Sequence, residues 1–213
     1  MPENEIVQKV SLRFAKTGYA RFFSHHDLMR LFSRAFRRVG LPVRKTSGFN
    51  PHLRMVFPHA LGLGIASTCE RLEVELADWI RPEKILELVS EAVVPVVQLL
   101  ECEVLRPVKG GQVARVCEYE AVGWCNQDAV SAAVAEMLAA DKLVFHRGKE
   151  GERSVDARPY LDRMELRGEV LWMRLLHAPK GAGRPDELCR LLAEKTGNRI
   201  EHIIIEKIKM ELA

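Results

Sequence analysis

Twice along its length the chain alternates between the two periods by which a polypeptide can bury one face. Val10, Leu12 and Phe14 alternate with Lys9, Ser11 and Arg13, the period-two pattern of a half-buried strand. Ser24 then opens a run in which Leu28, Leu31, Phe32, Ala35 and Val39 form one apolar stripe, and Gly40 with Pro42 stops it. Ser24 and Asp27 have the spacing of a capping box. A strand pair is predicted across Val43–Phe57 and Glu70–Leu76, with a glycine-rich stretch between. Pro82 opens a second helix, Glu83–Val93, with Ile85, Leu88, Val89 and Ala92 facing inward. Val96–Arg106 reads as a closing strand, so the order is β-α-β-β-α-β.

The second half repeats that order without a clear sequence repeat. A strand at Val113–Gly123 leads into an Ala-rich helix at Asp128–Ala140. Strands are predicted at Leu143–Arg147, Val155–Ala157, Met164–Leu166 and Val170–Leu176. Pro185 opens a helix through Glu194, Gly197 ends it, and Ile203–Leu212 alternates as a last strand. The expected class is α+β: two tandem ferredoxin-like units with helices on one face of antiparallel sheets. The units are expected at residues 1–107 and 108–213, joined by the Pro/Gly-rich segment Arg106–Gln112.

An apolar content of 47% over 213 residues is ordinary for a protein with a core. Cys69, Cys102, Cys117, Cys125 and Cys189 are odd in number and scattered, with no C-x-x-C and no iron–sulfur triad. Free thiols in a reducing compartment are expected, with no metal and no cofactor. The opening residues MPENEIVQK lack the apolar core of a signal peptide. The most apolar run, Ala92–Leu100, is about half the length needed to cross a bilayer. A cytoplasmic protein without a membrane partner is expected.

The net charge of +3 hides a segregation. Residues 1–66 hold 11 Lys/Arg against 3 Asp/Glu, a formal +8; residues 67–213 hold 21 against 26, a formal −5. A one-sign cluster repels itself unless an anionic partner offsets it. On the first helix His26, Arg30, Arg34, Arg37 and Arg38 fall along a stripe that no acid interrupts. Like charges at such spacing cost a few tenths of a kcal/mol per pair, and guanidinium matches phosphate oxygens bidentately. Either the stripe binds an anion or it pairs internally with acids such as Glu118, Glu120 or Asp156. In the loop that follows, Lys45, Ser47, Asn50, His52 and Arg54 supply donors around the ring of Phe49. Such a loop suits a stacked base and its phosphates; equally, Phe49 could plug the core. The GxG at Gly62–Gly64 lacks the context of a nucleotide fingerprint. His25 and His26 open the helix, where the dipole disfavours an added proton, so either is a candidate general base. Asp156, Arg158 and Pro159 form a polar turn whose default role is structural pairing.

Four runs are distinctive: Phe23–Arg30 (FSHHDLMR), Arg34–Arg38 (RAFRR), Gly40-Leu41-Pro42 and Ser47–His52 (SGFNPH). They resemble a family of bacterial radical-SAM-linked proteins, catalogued as domain of unknown function 2344. Asp156-Ala157-Arg158-Pro159 resembles a second motif of that family. Departures are His26 and Phe36 where members carry Leu, and Leu53 where they carry Pro. The resemblance implies a domain found alone or fused behind a radical-SAM enzyme, encoded near ribonuclease G and ribosomal proteins. It implies no established activity. A tandem ferredoxin-like layout also looks like the CRISPR repeat-processing endonucleases, by analogy of fold only. The leading expectation is an accessory RNA-binding protein without catalysis of its own. Arg30, Arg34, Arg37 and Arg38 would hold phosphates and present RNA to a radical-SAM partner. A metal-independent RNA endonuclease using His25 or His26 and a protein-only adaptor for a radical-SAM protein are the alternatives.

Overall fold

β1 (Gln8–Lys16) is the strand around which the first half is built. The computed structural model describes residues 7–93, 95–106, 110–147, 153–178 and 181–213. Its contacts separate two units, Met1–Val113 and Ala114–Ala213. In the first, β1 is followed by α1 (His25–Arg38), β2 (Met55–Val56), β3 (Ala66–Leu76), α2 (Pro82–Val93) and β4 (Gln98–Leu105). β1 pairs antiparallel with β3 on one side and with β4 on the other, and β2 adds to β3. The order across the sheet is therefore β2-β3-β1-β4. Val10 faces Val74 and Leu12 faces Leu72, so alternate residues of both strands reach the same face. That face, with Phe32 and Phe36 of α1 and Ile85 and Val89 of α2, makes one core. Phe14 and Phe32 meet edge to face with centroids 5.1 Å apart, a favoured aromatic geometry.

β1 is not the half-buried strand that its alternation predicts. Lys9, Ser11 and Lys16 are as buried as Val10 and Leu12, and only Arg13 reaches partial exposure. Period two distinguishes the two faces of a strand but does not say whether the polar face meets water. Here ionic partners make burial tolerable: Lys9 Nζ lies 2.7 Å from Glu73, and Arg13 and Arg71 reach Glu101 and Glu103 at 2.9 and 2.7 Å. Of the expected linker, residues 107–109 lie outside the described ones. Gly110 accepts from Lys9, and Gln112 N–H donates to Glu73 at 3.1 Å.

The second unit runs β5 (Ala114–Val122), α3 (Gln127–Ala139), β6 (Val144–Arg147), β7 (Arg153–Asp156), β8 (Leu161–Arg167), β9 (Val170–Ala178), β10 (Gly181–Ala182), α4 (Pro185–Thr196) and β11 (Ile204–Leu212). Its sheet order is β8-β9-β5-β11, all antiparallel, with β10 paired to the end of β9. Among the described residues β6 and β7 pair only with each other, a two-stranded sheet apart from the main one. Gly197 at φ +67° closes α4 in the left-handed region, where a side chain is strained. The protein is thus α+β, with antiparallel sheets and, among the described residues, four α-helices. Among the described residues no helix is long and apolar enough to cross a membrane, which leaves β-barrels unaddressed.

Candidate functional site

α1 begins as its cap chemistry dictates. Asp27 N–H donates to Ser24 Oγ at 3.2 Å, and Ser24 N–H donates to Asp27 Oδ2 at 3.0 Å. The Ser24 hydroxyl also donates to Oδ2 at 2.6 Å. These bonds, the side-chain one foremost, hold the Asp27 carboxyl below its ordinary pKa. His25 is partly buried, with its ring 5.0 Å from Phe57 and 6.0 Å from His26. Burial, then the neighbouring His26, lowers its pKa, which favours the neutral imidazole. His26 is exposed.

Arg30, Arg34, Arg37 and Arg38 are all exposed. Among the described residues none of the four has a carboxylate within ion-pair distance. The nearest specific bond is weak, Arg34 Nε to the Arg30 carbonyl at 3.3 Å. Two of the acids proposed as internal partners are engaged within their own unit. Glu118 faces Lys209 at 3.1 Å and Arg174 at 3.9 Å. Asp156 Oδ1 accepts from the N–H groups of Leu143 and Arg158 at 2.9 and 3.0 Å. Arg158 in turn donates to the Leu161 and Leu138 carbonyls, so the Asp156–Pro159 turn is a structural clasp.

The four arginines do not form one narrow stripe. Successive residues on an α-helix are about 100° apart, so Arg37 and Arg38 diverge. Arg34 and Arg38 line a cleft of about 770 Å³, and Arg30 and Arg37 do not. Asp27, Leu31 and Ala35 complete the α1 wall of the cleft. Phe22 and Phe23 close it ahead of the helix, and Ala92 and Val96 close it at the end of α2. The Arg21 guanidinium sits 4.8 Å over the Phe22 ring, a cation–π contact on a ring left half exposed.

The loop after α1 is a closed hairpin. Lys45 bridges Leu53, Thr46 N–H donates to the His52 carbonyl at 2.7 Å, and His52 N–H donates to Thr46 Oγ1 at 3.0 Å. Lys45, Ser47, Asn50 and His52 are exposed. Phe49 at the tip is fully exposed, at 107% of its reference area, so it plugs nothing. Leu53 packs on the core instead. Arg54 differs from the expected free cation: it lies 3.6 Å from Glu75, which Arg44 also meets at 3.1 Å. That carboxylate joins the two guanidiniums because the strand pairing brings residues 44, 54 and 75 together.

Sequence reasoning did not include Arg21, Phe22, Phe23, Ala92 or Val96 in the site. Phe23 was detectable, since an apolar residue just before a capping box is a hydrophobic-staple position. By its spacing Ala92 is an ordinary core position, and only the packing of α1 beside α2 makes it a wall. Burial pushes the Cys102 thiol up to about 12 and raises Cys189 as well, which disfavours the nucleophilic thiolate at both.

No curated protein matches the chain. One family model matches residues 9–185, a span that includes α1, the hairpin loop, the cleft and the Asp156–Pro159 clasp. With most of its length so matched, the chain belongs to the family described as uncharacterized protein conserved in bacteria, DUF2344.

Proposed function

We propose that the protein is an accessory RNA-binding protein of the cytoplasm, acting with a radical-SAM enzyme in RNA or ribosome-related modification or processing. One observation carries the RNA reading: four exposed guanidiniums on α1 have no carboxylate partner among the described residues. The exposed Phe49, flanked by Lys45, Asn50 and His52, supports it, because an uncovered ring among donors is a stacking platform. Two tandem ferredoxin-like units is the fold reading that accompanies it, supported by the matching strand orders of the two units. The radical-SAM partnership rests on the motif resemblance.

The test is fluorescence anisotropy of the full chain with a labelled single-stranded RNA at two salt concentrations. For single strands the slope of log affinity on log salt is about −0.7 per phosphate contact. Four contacts therefore predict a loss of about fifty-fold between about 50 and 200 mM salt. No binding at the lower salt, or an affinity indifferent to salt, rejects the reading. A partner that co-purifies after ribonuclease treatment would then favour a protein adaptor. His25, its pKa lowered by burial and by the adjacent His26, favours a second reading, a metal-independent RNA endonuclease. It requires a defined cut that disappears in the His25→Ala/His26→Ala variant while binding remains.

A further inference from the structure

We infer that the cleft between α1 and the end of α2 is a nucleotide pocket, taking one nucleoside phosphate either free or as a residue of an RNA chain. This deepens the RNA-binding reading and depends on it only for the source of the nucleotide. The cleft, about 770 Å³, is within the usual range of small-ligand sites, about 300–1,000 Å³.

Its lining is sorted into two ends. Asp27 and Arg34 are seven residues apart on one helix, about 10 Å along its axis. Phe22 and Phe23 immediately precede α1, so they stand at the Asp27 end. Val96 belongs to the same end, because Gln98 two residues later pairs with Ala15, just before β1 leads toward Phe22. That end offers aromatic and aliphatic surface for a base. Arg34 and Arg38, one helical turn apart, form the other end and present two guanidinium forks to a phosphate.

Asp27 gives the pocket a direction. Its carboxyl is held ionised by the Ser24 bonds and repels a phosphate from the apolar end. Both Ser24 donors go to Oδ2, which leaves Oδ1 to accept from a ribose hydroxyl or a base amino group. Inorganic phosphate would use only the arginine end, and an apolar molecule only the other. A nucleoside phosphate uses both.

Calorimetric titration of the full chain with each of the four nucleoside 5′-monophosphates and with inorganic phosphate tests the inference. At least one nucleotide should bind about tenfold more tightly than phosphate, the contribution of one stacked base. Arg34→Gln/Arg38→Gln should weaken it by at least about tenfold, since each lost charged bond is worth that much. Phe22→Ala should also weaken it, whereas Arg199→Gln, an exposed base of the second unit, should leave it within about threefold. All these side chains are exposed or half exposed, and unchanged thermal unfolding checks that each variant folds. Equal affinity for phosphate and nucleotides, or an equal loss in the Arg199 variant, overturns the pocket. RNA binding without any mononucleotide binding also ends the pocket inference and leaves the RNA reading standing. Mononucleotide binding without RNA binding keeps the pocket and ends the RNA reading.

Discussion

In the second unit several basic side chains have acids beside them. Arg147 meets Glu187 through two bonds of 2.7 and 2.6 Å. Arg174 sits on Asp162 at 2.6 Å and on Glu211 at 3.4 Å. Lys195 reaches Glu136 and Lys209 reaches Glu118. The sheet of the first unit follows the same habit, with Arg13 on Glu101 and Arg71 on Glu103. On α1, by contrast, a run of four guanidiniums has no such partner among the described residues. Both regions are rich in arginine, so arginine content alone does not distinguish them. What differs is whether the fold brings a carboxylate within reach. Charge already neutralised within the fold stabilises it or specifies its geometry, and charge left open is available to a ligand.

The contrast should be largest in stability. Removing one member of a mostly buried pair leaves an uncompensated charge, so Arg147→Met should cost about 3 kcal/mol. Chemical unfolding measures this, and a cost below about 1 kcal/mol would mean the pair contributes little. On the other side of the contrast, a variant with Arg30, Arg34, Arg37 and Arg38 all changed to Gln should keep its unfolding midpoint and lose salt-sensitive RNA affinity. Its salt slope should fall by about 2.8, whereas Arg174→Gln should leave the slope unchanged. A quadruple variant that binds RNA as before would erase the functional half of the contrast.

The helix that carries the open charges depends on its cap. Ser24→Ala should cost about 1 kcal/mol, read by thermal unfolding. A smaller difference lies in pH response. His177 in the second unit is pushed down to about 4 by burial and then by Lys207. A histidine with a depressed folded pKa favours the folded state while neutral. That contribution is complete above the unfolded value of 6.5 and is lost as pH falls from there toward 4. Melting temperatures of the parent and His177→Gln across that window should show a flatter dependence in the variant. The smallest effect is expected for Arg34→Gln alone, within about 0.5 kcal/mol in stability, because its side chain is exposed and makes no ion pair among the described residues.

Local signals proved legible where one segment contains the whole cause. The Ser24–Asp27 box is three residues long, and both of its bonds form. Gly197 and Pro185 bound α4 as their backbone preferences require. The order of the helices and longer strands followed from period together with capping, Pro and Gly signals, whereas the two-residue β10 gave no such signal. The candidate site was legible only in part. Arg30, Arg34, Arg37, Arg38 and Phe49 are exposed, which a charged stripe and a turn-rich loop make legible. Arg54 was not legible in the same way, because its acid, Glu75, is 21 residues distant and arrives only through strand pairing.

From its residues alone this chain determined where helices begin, where they stop, and which face of α1 holds its charge, since capping, backbone freedom and helical periodicity act within a few residues. Folding decided which of those charges meet a partner, that both faces of β1 are covered, and that Arg34 and Arg38 share a cleft with Phe22 and Val96. Each of these depends on distances between groups far apart in the chain, and such distances exist only once the sheet has drawn its strands together.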